Sequence, residues 1–424
     1  MSTDGRLLIV GAGQAGVQTA SSARELGWQG PITLLGAEPY PPYARPPLSK
    51  AFLSGTATQD RLALRSAEFY SDHRIDLVLD ERVQHLDLAG DGTGSAVTDS
   101  GRQRSFDRLV LATGAEPRRL PLEGAGLAGV VVLRDLDDAS VLAGRLAAAD
   151  SLVVVGGGFV GLEVAATAAA AGVRVSVVET ASSLMNRVVS PVTAEIVASA
   201  HRAAGIRVLT GLRPARFVGD GHHAVTAVEL DNGEHLPADL VLIGVGARPR
   251  DDLAATAGLH CDYGVVVDDR SVASDGHTLA VGDCANLPDP SPGPGPAARV
   301  RLESVDNAVE QARAAAGTLV GAPPPSRGVP WFWSDQGSLK LQIAGLARPD
   351  DEVVVRVGKR PGQHTALRYR GPGLVAVECV DSPADFLTVR KALTAGVELS
   401  REAAADTGVP LKQHLSAALT SAQR

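Results

Sequence analysis

The sequence predicts an α/β protein with two parallel-sheet domains, because one strand–turn–helix–strand unit occurs twice along the chain. The first unit begins near residue 6 and the second near residue 152. A chain of 424 residues is long enough for two or three domains. Its hydrophobic fraction of 45% suffices for ordinary globular cores, and its charged fraction of 21% excludes wholesale disorder.

The first unit contains a glycine-rich turn between an apolar strand and a helix. The strand at 6–10 leads directly into Gly11, Gly13 and Gly16, and Glu38 follows the next strand. Such glycines permit a tight turn, the approach of a pyrophosphate and close helix packing, while the helix N-terminus supplies free N–H groups. The acid can bind a ribose hydroxyl. The unit therefore predicts a Rossmann-like dinucleotide site.

The second unit repeats this pattern. Its turn contains three glycines with the same spacing, Gly156, Gly158 and Gly161. Glu179 ends the strand that follows. A single glycine pattern is a weak signal, but two copies in the same context predict two bound dinucleotides. Because a carboxylate repels the 2′-phosphate of NADPH, Glu179 favours NADH. Arg174 and Arg187 flank this region, and their positive charge could weaken the preference for NADH over NADPH.

Composition excludes several other classes of protein. The net charge of −8 disfavours a nucleic-acid partner. Cys261, Cys284 and Cys379 lie far apart, which excludes a disulfide scaffold and a cysteine zinc site and fits a reducing cytosol. The most apolar stretch, 152–173, is broken by glycines and by Glu163, so we expect no membrane span. No signal peptide and no metal site are predicted, and we expect a cytoplasmic protein.

Other candidate residues follow predicted strands. Thr113 and Gly114 end one apolar strand and Gly246 follows another, where we expect the chain to cross between the two nucleotide domains. Gly282 and Asp283 follow a later strand, where a carboxylate can bind the polyol of a flavin, although a helix cap or turn is the simpler role for Asp283.

Five further motifs carry a resemblance to a known family. They are residues 43–50 (YARPPLSK), 244–249 (GVGARP), 281–283 (VGD), 301–308 (RLESVDNA) and 330–336 (PWFWSDQ). With both glycine turns, they resemble the NADH-dependent ferredoxin reductases of the putidaredoxin and rhodocoxin reductase type, among the glutathione-reductase-like FAD/NAD flavoproteins. The resemblance extends from the first strand to beyond residue 336.

The resemblance implies three domains. The FAD-binding domain is discontinuous and comprises residues 1–114 and 246–325. The NAD-binding domain at 115–245 is inserted into it, and a C-terminal α+β interface domain at 326–424 closes over the flavin. FAD is expected on the first glycine turn and NADH on the second.

The resemblance also implies roles for individual residues. The family positions that line FAD correspond to Ala15, Glu38, Arg45, Lys50, Val83, Arg134, Asp283 and Val305. The turn expected to bind NADH also contains Phe159 and Val160. Lys50 is expected near the reactive flavin nitrogen, paired with Glu163, where a cation favours the negatively charged reduced flavin. By itself, Lys50 fits an exposed surface lysine equally well. Trp333 lies in an aromatic run expected against the isoalloxazine, or alternatively in a domain core.

The missing cysteines limit the reaction. No cysteine occurs between residues 40 and 65, where thiol-dependent relatives of this fold carry theirs, so electrons must leave the flavin directly. The expected acceptor is a [2Fe–2S] ferredoxin, and Val305 favours the type that serves a cytochrome P450. Two alternatives remain, an NADH oxidase or quinone/dye reductase and an apoptosis-inducing-factor-like redox sensor. We expect a monomer or a weak homodimer.

The C-terminal residues carry more positive charge than the rest of the chain. Residues 326–424 have a net charge of +3, against −11 for the remainder. Five cations lie in a predicted strand–turn–strand region, namely Arg356, Lys359, Arg360, Arg368 and Arg370. They predict a docking patch for an acidic ferredoxin, with a solvated hairpin as the alternative.

Overall fold

The computed structural model describes residues 3–290, 298–323 and 327–422. These residues form two compact units. The first unit comprises residues 1–44, 58–116 and 247–327, and the second comprises 45–57, 117–246 and 328–424. The predicted boundary at residues 325 and 326 lies outside the described residues, and the division into three domains stays a prediction.

Most strands are short. They are β1 (Leu7–Val10), β2 (Ile32–Leu35), β3 (Ile75–Val78), β4 (Val83–Leu88), β5 (Gly94–Thr98), β6 (Gln103–Phe106), β7 (Arg108–Leu111), β8 (Ala115–Pro117), β9 (Val130–Val131), β10 (Ser151–Val155), β11 (Arg174–Glu179), β12 (Arg207–Thr210), β13 (Pro214–Gly219), β14 (Val225–Leu230), β15 (His235–Pro237), β16 (Leu240–Ile243), β17 (Ala247–Pro249), β18 (Val265–Val266), β19 (Leu279–Ala280), β20 (Ala285–Pro288), β21 (Arg299–Val300), β22 (Trp331–Gln336), β23 (Leu339–Gly345), β24 (Glu352–Val357), β25 (His364–Arg370) and β26 (Gly373–Val380).

Ten α-helices lie between or after these strands in the described residues. They are α1 (Gln14–Glu25), α2 (Ala67–Asp72), α3 (Leu136–Leu146), α4 (Phe159–Ala170), α5 (Pro191–Ala203), α6 (Asp252–Thr256), α7 (Val305–Val320), α8 (Pro383–Thr394), α9 (Arg401–Ala405) and α10 (Leu411–Ala422). Short 3₁₀ helices lie at Pro46–Ser49, Gln59–Leu62 and Gly282–Cys284.

The first unit is built on a parallel sheet with the strand order β19-β7-β1-β2-β3. Every residue of β1 is buried, as expected for a central parallel strand that is covered on both faces. Residues of α1 and α7 form the core on one face, and the small β4-β5-β6 sheet and α6 cover the other. This arrangement brings the end of β1 and the start of α1 to the carboxyl edge of the sheet.

The second unit contains another parallel sheet, with the order β12-β11-β10-β16-β9. Helices α3, α4 and α5 contribute to the core on one face, and the β13-β14-β15 sheet packs on the other. The two parallel sheets confirm the predicted fold class of two Rossmann-like regions.

The C-terminal residues form an antiparallel sheet with the order β22-β23-β26-β25-β24. Helices α8 and α10 pack on one face around Phe386 and Leu415. On the other side, Leu341, Ile343 and Val380 belong to the same apolar core as α4 and α5. This sheet with its helices confirms the predicted α+β class, and the shared core places β22 beside α4.

Candidate functional site

The first glycine turn closes the carboxyl end of the sheet in the first unit. Gly11 has a φ of +113°, and a Cβ on it would lie 2.1 Å from the carbonyl oxygen of Ala112. A Cβ on Gly16 would lie 1.9 Å from the carbonyl oxygen of Gly11. Neither position tolerates a larger residue, whereas a Cβ on Gly13 would meet nothing within 4 Å. The turn is therefore closed towards the protein and open above Gly13.

Both glycine turns leave the first turn of a helix without a side-chain cap. Helix α1 begins after Gly13 and α4 begins after Gly158, and neither glycine has a side chain that could accept a backbone N–H. Helices α3, α5 and α7 are instead capped by Asp135, Ser190 and Ser304. The free N–H groups and the helix dipole make both uncapped ends suitable for a pyrophosphate.

Several predicted FAD residues lie near this edge in the first unit. Gly282 has a φ of +77°, and a Cβ on it would lie 3.0 Å from Ala15 Cβ. Its N–H donates to Gln311 Oε1 at 2.6 Å, and Asp283 follows in the same 3₁₀ helix. Glu38 Oε2 accepts from the Tyr43 hydroxyl at 2.5 Å, which orients the carboxylate. The site residues Thr113, Gly114, Val83 and Val305 also belong to this unit.

The predicted NADH acid is fixed by its own glycine turn. Glu179 Oε2 accepts from the N–H of Gly157 at 2.6 Å, and Oε1 accepts from the N–H of Ala181 at 2.8 Å. A carboxylate has about four lone-pair positions, so it can still accept from a ribose hydroxyl. The positive φ of Gly246, +99°, lets the chain turn after β16.

Lys50 and the buried Glu163 form a partly buried ion pair in the second unit. Lys50 follows the 3₁₀ helix that Pro46 and Pro47 begin, and Glu163 lies in the first half of α4. Their Nζ and Oε1 atoms are 2.9 Å apart, and the Glu163 side chain is only 6% exposed. Arg45 and Arg134 also meet in this unit, where an Arg45 guanidinium N–H donates to the Arg134 carbonyl at 2.8 Å.

Two hydroxyl groups complete the surroundings of the Glu163 carboxylate. Ser49 Oγ donates to Oε2 at 2.5 Å, and Ser334 Oγ donates to Oε1 at 2.6 Å. A second carboxylate, Asp335, has its Oδ2 at 4.0 Å from Lys50 Nζ and is 40% exposed. Lys50 is therefore held by one buried carboxylate and lies within reach of a more exposed one.

Alternation along β22 separates its aromatic residues into two faces. Phe332 shares a face with Ser334 and packs edge-on against Phe159, with ring centroids 4.8 Å apart. Trp331 and Trp333 lie on the opposite face, with centroids 5.6 Å apart. Trp331 also contacts Phe386 of α8, at 5.7 Å. The aromatic run thus contributes to two packing layers, and a flavin contact of Trp333 stays a prediction.

The predicted basic patch is smaller in the structure than in the sequence. Arg368 is 4% exposed and pairs with Glu378 at 2.7 Å. Arg370 pairs with Asp351 at 2.9 Å. Buried Arg356 donates to three backbone carbonyls. These three arginines are structural, which corrects the expectation of a five-residue patch. Lys359 and Arg360 are exposed at the turn between β24 and β25.

The three cysteines are free thiols with raised pKa values. Burial raises the pKa of Cys261 to about 11, and it also raises the pKa of Cys284 and of Cys379. A thiol must ionise to act as a nucleophile, so these groups are poorly suited to a thiol relay. Within the described ranges, no cluster of three or more His, Cys, Asp or Glu residues could hold a metal ion. No helix there is long and apolar enough to span a bilayer.

Sequence reasoning did not identify Ser49, Ser334, Gln336 and His201. Three of them lie within the family motifs, since Ser49 precedes Lys50, and Ser334 and Gln336 follow the aromatic run. Residue spacing gave no indication that Ser49 and Ser334 donate to the same carboxylate, or that Gln336 and His201 are connected to it through Ser334. His201 lies in α5 with no motif around it, so no local signal marked it.

Known proteins match the chain along most of its length. The pyridine nucleotide-disulphide oxidoreductase family matches residues 5–312, and the reductase C-terminal family matches residues 331–415. The rhodocoxin reductase of Rhodococcus erythropolis is 42% identical over 408 residues, which are 96% of this chain and 93% of that protein. Two crystal structures are also similar to this chain. The ferredoxin reductase of the CYP199A2 system of Rhodopseudomonas palustris is 40% identical with a TM-score of 0.91, covering 96% of this chain and 99% of that one. The covalent complex of putidaredoxin reductase with putidaredoxin is 37% identical with a TM-score of 0.92, covering 98% and 99%.

Proposed function

Because the chain belongs to the pyridine nucleotide-disulphide oxidoreductase family, we propose that it transfers electrons from NADH through FAD to a [2Fe–2S] ferredoxin. The ferredoxin in turn serves a cytochrome P450 or a related oxygenase. The observation that carries this proposal is similarity over nearly the whole chain, including the C-terminal domain, to a ferredoxin reductase of a P450 system. The oxidoreductase class and the cofactors FAD and NADH are confirmed by these relatives.

The residues of the first unit fit FAD. The uncapped start of α1 offers N–H groups to the pyrophosphate, Glu38 offers a carboxylate to a ribose, and Asp283 offers one to the polyol. Bound FAD supplies chemistry that side chains lack, since it accepts a hydride and gives up electrons singly. In this proposal, the protein binds the cofactor, orients it and sets the charge around it. Lys50 supplies a positive charge, and Glu163 holds its ammonium in place.

The residues of the second unit fit NADH. Helix α4 offers its uncapped N-terminus to the pyrophosphate, and Glu179 is already oriented towards the glycine turn. Because the Glu179 carboxylate would face the 2′ position of the adenosine ribose, it attracts a hydroxyl and repels a phosphate.

Replacing Glu179 with glutamine tests the choice of nicotinamide cofactor. Glutamine keeps an oxygen for the N–H of Gly157 but loses the negative charge. We expect the preference for NADH over NADPH, measured as the ratio of kcat/KM values, to fall roughly tenfold, or about 1.4 kcal/mol. Glu229→Gln, on the β13-β14-β15 sheet, is the matched control and should keep the wild-type ratio. An unchanged ratio in Glu179→Gln would remove Glu179 from cofactor selection.

The ferredoxin proposal is supported by the cysteines as well as by the relatives. Burial raises the pKa values of these thiols, which disfavours a disulfide relay and agrees with electrons leaving the flavin directly. We further propose a cytoplasmic location, since free cysteines suit a reducing compartment, and a monomer or weak homodimer as the working state.

The proposed function is tested by cytochrome c reduction with the FAD-loaded protein. NADH and NADPH are compared, each with and without a [2Fe–2S] ferredoxin. We expect a large ferredoxin-dependent increase in rate with NADH as the better donor. Rapid NADH consumption that the carrier does not accelerate would favour an NADH oxidase or a quinone/dye reductase. Little turnover together with a long-lived reduced complex would favour the apoptosis-inducing-factor-like alternative.

The two exposed cations of the C-terminal sheet provide a test of docking. We expect the double variant Lys359→Glu, Arg360→Glu to raise the KM for an acidic ferredoxin about fivefold at low salt, and by less as salt increases. Activity with ferricyanide, which needs no docking surface, should not change. The charge reversal Arg313→Glu on α7 in the first unit is the control. If KM and its salt dependence equal those of the wild type, these residues do not bind the ferredoxin.

A further inference from the structure

A continuous chain of side-chain hydrogen bonds connects helix α5 to the Lys50–Glu163 pair within the second unit. His201 Nε2 lies 3.0 Å from Gln336 Oε1. Gln336 Nε2 donates to Ser334 Oγ at 2.7 Å, and Ser334 Oγ donates to Glu163 Oε1 at 2.6 Å. Only 2% of His201, 3% of Gln336 and 1% of Ser334 is exposed to solvent. The proposed reaction does not by itself require any of these three residues.

The donors in this chain all point towards Glu163. Gln336 Nε2 also donates to the carbonyl oxygen of Phe159 at 3.3 Å, and a carbonyl can only accept, which fixes the orientation of the amide. Gln336 Oε1 must then accept from His201, so His201 carries its hydrogen on Nε2. Burial lowers the pKa of His201, which keeps its imidazole neutral near pH 7. Aligned hydrogen bonds polarise one another, and here they strengthen the donor that reaches the carboxylate.

A second carboxylate, that of Asp335, lies close enough to Lys50 to compete with Glu163 for its ammonium. Asp335 adjoins Ser334 in β22, and its Oδ2 is 4.0 Å from Lys50 Nζ, compared with 2.9 Å for Glu163 Oε1. Ser49 donates to one oxygen of Glu163 and Ser334 donates to the other. If one hydroxyl is lost, the Glu163 side chain becomes more mobile. The Lys50 ammonium can then exchange between Glu163 and Asp335.

We propose that Ser334 and Gln336 are positioning residues that hold the Glu163 carboxylate against Lys50. Strand β22 of the C-terminal sheet thereby determines where the Lys50 ammonium lies. The effect of this control on electron transfer rests on the proposed function of Lys50. The position of the ammonium itself can be measured independently of turnover.

The lysine content of the chain makes this measurement direct. The sequence has five lysines, which are Lys50, Lys340, Lys359, Lys391 and Lys412. In the FAD-loaded protein labelled with ε-¹³C-lysine, the Lys50 signal is assigned as the one that is absent from Lys50→Met. We expect this signal to shift in Ser334→Ala and to return towards its wild-type position in Ser334→Thr, which restores the hydroxyl. In Ser199→Ala, which removes an exposed hydroxyl from α5, the signal should not move.

Kinetics of the same variants connect position to the reaction. We expect Ser334→Ala to lower kcat about fivefold with little change in the KM for NADH, because the loss of one charge-assisted hydrogen bond affects the reacting state more than substrate binding. Gln336→Met keeps the length of the side chain but removes the donor to Ser334. Gln336→Met should shift the Lys50 signal in the same direction by a smaller amount. It is the test variant to use if Ser334→Ala does not fold.

The outcomes separate this inference from the proposed function. If the Lys50 signal stays in place in both Ser334→Ala and Gln336→Met, the positioning inference is overturned, even if Lys50→Met is slow. If the signal moves, Thr restores it and kcat falls, the inference holds in full. If the signal moves while kcat is unchanged, Ser334 positions Lys50 as inferred, and the role of Lys50 in electron transfer fails instead.

Discussion

We expect Lys50→Met to slow the reduction of bound FAD by NADH roughly 100-fold, the lower range of what the loss of one preorganised electrostatic group costs. Reduction adds negative charge to the cofactor, and the Lys50 ammonium is the cation that we propose stabilises this charge. The ammonium is costly to replace because it is held in advance by Glu163 at 2.9 Å and needs no rearrangement during the reaction. Methionine has a similar length and fills similar space without charge. The rate is measured by stopped-flow absorbance of the flavin.

Two further measurements show whether the loss is specific. The FAD content of Lys50→Met should stay close to that of the wild type, because the groups proposed to bind the pyrophosphate, ribose and polyol of FAD lie in the first unit and are unchanged. Lys340→Met removes an exposed lysine from β23 and should be reduced at the wild-type rate. A wild-type rate in Lys50→Met would contradict the role proposed here for the Lys50–Glu163 pair. A loss of FAD would show instead that Lys50 binds the cofactor.

The glycine turns were predictable because the strand–helix pattern around them is visible in the sequence. Gly16 is required by the carbonyl of Gly11, five residues away, whereas the close approach of Gly11 to the carbonyl of Ala112, after the neighbouring strand β7, required the structure. The same reasoning applies to Glu179, which stands at the end of a strand. Residues 113 positions apart, such as Lys50 and Glu163, have no such local relation. Their proximity was expected only from the resemblance to ferredoxin reductases, and their distance required the structure.

The ion pairs of the C-terminal sheet could not be predicted from the sequence. Counting cations predicted a patch, but Arg368 and Arg370 are neutralised by carboxylates that antiparallel pairing brings to them from other strands or turns. The hydrogen bonds from His201 to Glu163 likewise join α5, β22 and α4, which meet only in the folded chain. Side-chain pairing across elements depends on register and packing, and neither follows from the spacing of residues.

The Arg368–Glu378 pair is expected to dominate the stability of the C-terminal sheet. Glu378 is fully buried and Arg368 is 4% exposed. The Glu378 carboxylate accepts from Arg368 at 2.7 Å and from the N–H and hydroxyl of Ser190, the residue that caps α5. Glu378→Gln leaves the Arg368 guanidinium buried without a matching charge. We therefore expect the free energy of unfolding to fall by roughly 3 to 5 kcal/mol, the usual cost of breaking a buried pair.

Guanidinium-induced unfolding of the FAD-loaded protein, followed by tryptophan fluorescence, measures this loss, because Trp331 and Trp333 lie in the same sheet. The double variant Glu378→Gln, Arg368→Met should recover much of it, since removing both charges relieves the unpaired one. Glu195→Gln breaks an ion pair whose side chains are 65% and 47% exposed, and it should cost less than about 1 kcal/mol. If Glu378→Gln costs no more than this exposed control, the buried pair adds little, and apolar packing with the neutral hydrogen bonds of His201 and Thr193 joins the C-terminal sheet to α5. If the single variant is strongly destabilised and the double variant recovers, the cost lies in the unpaired charge, and the pair mainly determines where Ser190 and α5 meet the sheet.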